Sequence, residues 1–205
     1  MNKNLIQRIA MVFIGVLIMG FAVSLLIYAN LGTDSATCMN LGVSSKLGLS
    51  FGIYQLIFNG IVLVFTFIFA RHFIGIGTVI NMALVGFLVD FFNATVIRVF
   101  PSHPGMPVRL IVMVIAVVVL SFSASLYIHP HLGISPYDSI AFMVAERTHI
   151  QFRWLRIACD MTALLIGWLC GSVIGLGTVV SAFCIGPLIK FFSDLLQRKI
   201  PFEPS

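Results

Sequence analysis

Long apolar runs separated by short polar stretches dominate the hydropathy pattern of this 205-residue chain. A helix needs about 20 apolar residues to cross the hydrocarbon core, since each residue rises about 1.5 Å through about 30 Å. The apolar residues are continuous rather than alternating, which excludes a transmembrane β-barrel. The pattern predicts six membrane-spanning helices, at about 9–29, 51–70, 74–97, 108–128, 154–171 and 173–196.

The composition supports the same class of protein. Hydrophobic residues make up 60% of the chain and charged residues only 9%, whereas a soluble domain has about 25% charged residues. There is too little polar surface to cover a globule in water, which excludes a soluble enzyme and a nucleic-acid-binding protein. The composition therefore predicts an integral membrane protein whose main partner is the lipid bilayer.

The positive charges predict the orientation of the chain. Positive residues concentrate in the cytoplasmic loops of membrane proteins, and one orientation places nine of the twelve on a single side. These nine are Lys3, Arg8, Arg71, Arg147, Arg153, Arg156, Lys190, Arg198 and Lys199. We therefore expect both termini to be cytoplasmic, with Lys46, Arg98 and Arg109 on the far side.

The second half of the chain repeats the first. Residues 74–92 and 174–192 share nine identities in nineteen positions at an offset of 100, and residues 21–32 match 122–133 at an offset of 101. Each half holds three predicted spans, and because three is odd, the halves must enter the membrane in opposite directions. We predict two inverted three-helix repeats, an architecture typical of secondary transporters. The predicted repeats are 1–98 and 108–205, joined by a loop at 99–107.

A short polar segment follows the first span of each half. The one in the second half, Leu132–Ser139, has Ser135 at a helix N-cap position, Pro136 at the first helical position and Asp138 three residues after the cap. It predicts a short helix over about 136–147, and the equivalent segment predicts another over about 35–46. Two placements are open: at the membrane interface, or re-entrant and lined by protein.

Asp160 is the most informative single residue, since it lies inside the fifth predicted span. An ionisable group at the centre of a membrane helix costs at least ~2.5 kcal/mol and needs a partner. Arg156 is four residues earlier on the same helix face, and Asn59 occupies about the equivalent position of the first half. The residues predict either a central solute site or a structural ion pair.

A Gly-x-Gly-Thr motif precedes the third predicted span of each half, as Gly75, Gly77 and Thr78 and again as Gly175, Gly177 and Thr178. Glycine permits a tight turn and close packing of the backbone. The N–H groups at the start of the following helix can also bind an anion. Both interpretations are open, and we include the six residues with Ser135, Tyr137 and Asp138 as candidate solute contacts.

The sequence predicts no catalytic or metal site and no cofactor. No Gly-x-Ser-x-Gly serine motif occurs in the predicted spans, and threonine stands where an intramembrane Gly-x-Gly-Asp protease motif would have aspartate. The four cysteines show no CxxC spacing. We therefore expect a protein that is not an enzyme.

The motif Leu-Gly-Ile-Ser-Pro-Tyr-Asp at 132–138, together with Gly-Leu-Gly-Thr at 175–178 and Gly186–Pro187, resembles a pattern of the bacterial YczE/YyaS/YitT-like membrane proteins. The resemblance covers nearly the whole chain and implies a bacterial cytoplasmic membrane. It implies no established substrate. The first half departs from the pattern, with Thr33-Asp34-Ser35-Ala36 in place of Ser-Pro-Tyr-Asp, so a two-fold site would be asymmetric.

Two functions are compatible with these features. The first is a transporter, or a transporter subunit, for a small polar or anionic solute. The second is a scaffold or regulator that contacts a partner membrane protein, or a second copy of the chain, through small-residue faces such as Gly15 and Gly20. A polar pocket near the membrane midplane would favour transport, and a dry, close-packed centre would favour the scaffold.

Overall fold

The computed structural model describes residues 3–101, 104–148 and 150–200, and within these ranges the chain is helical, with no strand. A single 3₁₀ turn, Arg71–Phe73, separates the third and fourth helices. The α-helices are α1 Lys3–Ala29, α2 Ser35–Leu47, α3 Phe51–Ala70, α4 Ile76–Val99, α5 Met106–Ile128, α6 Pro136–Thr148, α7 Phe152–Leu169 and α8 Leu176–Lys199.

Among the described residues, five helices are long and apolar enough to cross a membrane: α1, α3, α4, α5 and α8. The helical membrane class predicted from the sequence is confirmed. The helix that corresponds to the fifth predicted span, α7, has 18 residues and carries Arg153, Arg156 and Asp160, and it is not among the five. The six-span arrangement therefore stays a prediction.

The predicted helix boundaries agree with the structure within a few residues. The largest shift is at α1, which begins at Lys3 rather than at 9. Helix α8 begins at Leu176 rather than at 173 because Gly175 is extended. Pro187 does not end this helix, which continues to Lys199. The two short helices, α2 and α6, match their predicted ranges within one residue.

The core of the fold is the pair formed by α1 and α5, which run antiparallel. Arg109, near the start of α5, donates from Nε to the carbonyl oxygen of Ala29 at the end of α1, at 2.7 Å. Gly15 in the first half of α1 lies against the backbone of Tyr127 at the end of α5. Helix α4 packs on α1 and helix α8 packs on α5. The fully buried side chains at the centre include Val12, Val16, Leu26 and Ala116.

The loops after α1 and α5 each contact the Gly-x-Gly-Thr motif of the other half. The N–H of Gly77 donates to the carbonyl oxygen of Leu132 at 2.8 Å, and the N–H of Gly177 donates to that of Leu31 at 2.7 Å. A Cβ atom at Gly75 would overlap the Leu132 carbonyl group, so only glycine fits there. These reciprocal contacts connect the two halves of the chain.

Helices α2 and α6 begin beside each other. The hydroxyl oxygens of Ser35 and Tyr137, in the first turns of the two helices, are 3.5 Å apart. Because α1 and α5 are antiparallel, their C-terminal ends lie at opposite ends of the bundle. The segments after them must therefore turn back toward its middle before the two short helices start.

Candidate functional site

A cluster of charged and hydroxyl side chains occupies the point where α2, α6 and α7 meet. At its centre, Arg156 donates from Nε to Oδ2 of Asp160 at 3.2 Å, along the same face of α7. A second nitrogen of the guanidinium, Nη1, pairs with Oδ1 of Asp138 in the first turn of α6. One guanidinium is thus shared between two carboxylates from different helices.

Two hydroxyl groups complete the hydrogen bonding of Asp160. Its Oδ1 accepts from Tyr137 Oη at 2.8 Å and from Ser35 Oγ at 2.6 Å. The Arg156 guanidinium also lies over the Tyr137 ring, with Cζ at 5.5 Å from the ring centroid, a distance typical of a cation–π contact. The cluster therefore joins α2, α6 and α7 through direct polar contacts.

The local sequence explains why two helix N-termini point here. Pro136 occupies the first position of α6, where its missing N–H and fixed φ suit the start of a helix. Asp34 is the N-cap of α2, and its Oδ2 accepts from the N–H of Thr37 at 3.2 Å. Each N-terminus carries about half a positive charge, which favours the carboxylates beside it.

Asp34 has a feature that the other carboxylates lack. Its Oδ1 is buried and accepts no hydrogen bond from the described residues. Burial raises the pKa of this carboxyl group, the hydrogen bonds from Thr37 oppose the shift, and the negative charge of Asp160 adds to it. Asp34 therefore has one carboxylate oxygen that caps α2 and one oxygen without a donor among the described residues.

The charged groups of the cluster are only partly covered by the protein. The exposed fractions of the side chains are 31% for Asp138, 37% for Arg156 and 28% for Asp160. Exposed charges near the centre of a membrane protein face a water-filled cavity or another protein group, because lipid does not solvate them. The open side of the cluster is therefore expected to meet water or a bound polar group.

The structure brings together four of the residues predicted from the sequence: Tyr137, Asp138, Arg156 and Asp160. Asn59 is buried in α3, with 4% of its surface exposed, and no contact described here joins it to the cluster. Ser135 lies one residue before α6, and its carbonyl oxygen accepts from the N–H of Ser139 at 3.0 Å.

The two Gly-x-Gly-Thr motifs also lie outside the cluster. The N–H groups of Gly77 and Gly177 are bonded to loop carbonyls of the opposite half. Thr78 donates from Oγ1 to the carbonyl oxygen of Ile134 at 2.8 Å, and the side chain of Thr178 lies against Gly32. This geometry agrees with the interpretation of the motifs as turns and packing contacts.

Ser35 and Asp34 are not among the site residues predicted from the sequence. A signal was present, because Asp34 and Ser35 stand at the positions equivalent to Ser135 and Pro136 at the offset of 101. This equivalence is weak evidence, because Asp34 and Ser35 differ in residue type from Ser135 and Pro136. The contact between the first turns of α2 and α6 is what places Ser35 in the cluster.

A depression of about 270 Å³ lies at the end of α8, lined by Asp194, Gln197 and Arg198. Within the described residues, no group of three or more histidine, cysteine, aspartate or glutamate side chains is placed to hold a metal ion.

These features define a helical membrane protein with a charged cluster between its short helices. Residues 6–194 match the model of a family described as a family of unknown function, DUF6198. The chain belongs to this family, and the resemblance to YczE-like proteins is confirmed by the comparisons that follow.

The chain is similar to three bacterial proteins over most of its length. It is 30% identical to the "Uncharacterized membrane protein YczE" of Bacillus subtilis, over 93% of this chain and 87% of the relative. It is 25% identical to an "Uncharacterized protein" of Haemophilus influenzae, over 96% and 89%. It is 22% identical to the "Uncharacterized protein YyaS" of Bacillus subtilis, over 90% and 92%. No solved structure matches significantly.

Proposed function

We propose that this protein is a small transporter, or a transporter subunit, that moves a small polar solute across the bacterial cytoplasmic membrane. The observation that carries the proposal is the partly exposed cluster of Asp138, Arg156 and Asp160 among apolar helices. Charged groups inside membrane proteins mark solute and ion pathways. The protein would act by binding and releasing the solute, without catalysing a reaction.

Paired contacts support the two inverted repeats that this function needs. Where α3 crosses α6, the hydroxyls of Thr66 and Ser139 are 2.8 Å apart. Where α2 crosses α7, the residues at the equivalent positions, Cys38 and Gly167, are again in contact. Together with the reciprocal loop contacts, these pairs favour a pseudo-two-fold relation between residues 1–98 and 108–205. They also favour α7 as the sixth span.

The meeting of the N-termini of α2 and α6 supports the re-entrant placement of both helices. Short helices on opposite membrane surfaces would be separated by the hydrocarbon core, about 30 Å thick, yet Ser35 and Tyr137 are neighbours. Transporters use half-helices of this kind to place positive helix ends at a midplane site. The carboxylates beside the two helix starts support such an arrangement here.

The positive-inside rule supports cytoplasmic termini in this proposal. Arg156 is engaged with Asp138 and Asp160 and is better counted with the site than with the cytoplasmic anchors. Eight positive residues then remain on the cytoplasmic side against Lys46, Arg98 and Arg109, so the direction of the bias is unchanged.

A binding screen followed by a flux assay tests the proposal. The purified protein is melted in detergent with phosphate, acetate, succinate, glycine, ethanolamine or putrescine, because a ligand that binds only the folded state raises its stability. Compounds that stabilise the protein are then offered in labelled form to proteoliposomes. We expect at least one of them to enter faster than into protein-free liposomes.

The matched variants are D160N and D194N, which make the same change at the cluster and at an exposed position at the end of α8. We expect D160N to lose most of the stabilisation and the flux, and D194N to retain both. Flux at the protein-free rate for every stabilising compound, or equal flux in the two variants, contradicts the proposal.

A scaffold function is the second candidate, because the polar groups of the cluster already bond one another and α8 presents a large apolar surface. Phe183 on this helix is 76% exposed, and the helix contacts mainly α5. In this case α8 would contact a membrane partner, and F183A would release that partner while D160N would not. Solute flux that depends on Asp160 argues against this candidate.

A further inference from the structure

Three arginines from separate helical elements lie at one end of the molecule. Arg71 is in the 3₁₀ turn after α3, Arg147 is in the last turn of α6, and Arg153 is in the first turn of α7. The side chains of all three are exposed. We call these three residues the basic patch.

Aromatic contacts hold the three elements of the patch together. The Arg147 guanidinium lies over the ring of Phe69 at the end of α3, with Cζ at 4.4 Å from the ring centroid. The ring of Phe142 in α6 stacks on that of Phe152 in α7, with centroids 4.2 Å apart. The Phe142 centroid also lies 5.5 Å from that of Phe73 in the 3₁₀ turn. These contacts place the ends of α3 and α6 beside the start of α7.

The basic patch has positive charge that its neighbours do not balance. Glu146 lies beside Arg147 in the chain, but its Oε1 is 3.0 Å from Nε2 of His72. The ion pairs of the described residues include none of the three arginines of the patch. A guanidinium group presents several N–H donors in one plane and binds phosphate through two parallel hydrogen bonds. The patch therefore suits a ligand that has a phosphate group.

The sequence repeat provides an internal comparison for these charges. At the offset of 101, Arg147 corresponds to Lys46 in the last turn of α2. Arg153 corresponds to Gly52, and Arg71 has an uncharged equivalent at an offset of either 100 or 101. Equivalent positions of the two halves thus carry three cations in one half and one cation in the other. The helical pattern common to both halves does not by itself require the three arginines.

The basic patch adjoins exposed apolar surface on two helices. Phe65 and Phe69, near the end of α3, are 50% and 45% exposed, and Trp154 in the first turn of α7 is 63% exposed. Tryptophan is enriched where a membrane protein meets the membrane–water interface. Arginines at the end of an apolar surface match the two parts of a phospholipid, its negative phosphate group and its acyl chains.

We propose that the basic patch binds the phosphate group of an anionic phospholipid, whose acyl chains pack on α3 and α7. In the orientation predicted from the positive charges, the patch faces the cytoplasmic leaflet, whose negative surface attracts basic residues. Basic sites between membrane helices on this side are suited to anionic head groups. The inference goes beyond the proposed function, since a bound lipid is compatible with a transporter and with a scaffold.

The test adds phosphatidylglycerol or phosphatidylcholine to the full-length protein in a neutral detergent at constant ionic strength. The first lipid has a negative head group and the second has no net charge. At about 100 times its Kd, phosphatidylglycerol should raise the melting temperature by roughly 5 °C more than phosphatidylcholine does, because it stabilises only the folded state. Inorganic phosphate at the same concentration represents a free anion and should have no effect beyond that of salt.

The matched variants are R147Q and K46Q, which remove one positive charge at equivalent positions of α6 and α2. We expect R147Q to weaken phosphatidylglycerol binding by about fivefold, and the triple variant R71Q/R147Q/R153Q to lose the thermal shift. K46Q should bind the lipid like the wild type. The shift of each variant is measured from its own lipid-free melting temperature, so loss of the contact with Phe69 does not affect the comparison.

Three outcomes would overturn the proposal. The first is equal stabilisation by the two lipids, and the second is stabilisation by inorganic phosphate as large as that by phosphatidylglycerol, which assigns the patch to a free anion. The third is a thermal shift that R147Q and K46Q reduce equally, or that the triple variant retains. A shift that requires phosphatidylglycerol and the basic patch, but not Lys46, supports the proposal.

Discussion

Helices α3 and α7 stand at equivalent positions of the sequence repeat, but they pack in different ways. Helix α3 lies close to α4, since Gly52 and Gly86 are in contact and the N–H of Gly52 donates to Asp90 Oδ2 at 2.9 Å. Helix α7 packs on α2 and α6 instead, with few contacts to α8. Gly186, the equivalent of Gly86, has no atom near the position of a Cβ.

The residue types explain this difference. At the offset of 101, Gly52, Gln55 and Asn59 of α3 correspond to Arg153, Arg156 and Asp160 of α7. Glycine lets two helix backbones approach, whereas arginine at that point keeps them apart. The first half thus has small and neutral residues that let α3 and α4 pack closely. The other half has charges that are paired with α6 and α2.

The largest expected effect concerns a contact that both halves share. G75A and G175A each place a Cβ atom against a loop carbonyl group of the opposite half. We expect either change to destabilise the protein by about 3 kcal/mol or more, because backbone on both sides limits relaxation. Unfolding in mixed detergent micelles measures this loss.

The control for these two variants is G60A, since no atom lies within 4 Å of the Cβ position at Gly60 in α3. It should remain within about 0.5 kcal/mol of the wild type. If only one of the two motif variants is unstable, the halves do not share this contact in the membrane.

The next effect separates the two halves. G86A puts a Cβ atom 2.7 Å from Gly52 Cα and should cost about 1–3 kcal/mol. G186A enters open space and should change the free energy of unfolding by less than about 0.5 kcal/mol. The same unfolding assay measures both variants. If G86A and G186A lose equal free energies of unfolding, α8 packs closely on α7 in the bilayer, and the two halves do not differ in this way.

A smaller effect is expected at Asp90, which accepts from the N–H of Gly52 in the first turn of α3. This N–H has no partner within its own helix. D90A should therefore cost about 1.5–3 kcal/mol, the range for a hydrogen bond to a charged group. The control is K190A, which changes the equivalent residue of α8 and should have little effect. Equal melting temperatures for D90A and K190A would contradict a stabilising hydrogen bond between Gly52 and Asp90.

The smallest effect concerns the crossing of α3 and α6. T66V keeps the shape of the side chain but removes a hydroxyl bonded to Ser139, so we expect a loss of about 1 kcal/mol. In a double-mutant cycle with S139A, the two changes should be less than additive, because they remove the same contact. Additive losses would mean that the two hydroxyls do not interact.

Part of the site could be predicted from the sequence because its residues are close along the chain. Arg156 and Asp160 are four residues apart on one helix, so their pairing follows from helix geometry. Tyr137 and Asp138 were selected because they belong to a recognisable helix-start motif. Asn59 was selected by its equivalence to Asp160, but α3 packs toward α4 and α6, and no described contact links Asn59 with the cluster.

The class of the protein, the approximate limits of its helices and the repeat of its pattern can be read from the amino-acid sequence. These properties depend on hydropathy and on residue order, which are local. The tertiary structure was needed to place Ser35 beside Asp160, and to show that α3 packs closely on α4 while α7 has few contacts with α8. Such pairings join residues as much as 125 positions apart. These long-range contacts form because the segments after the antiparallel helices α1 and α5 turn back toward the middle of the bundle.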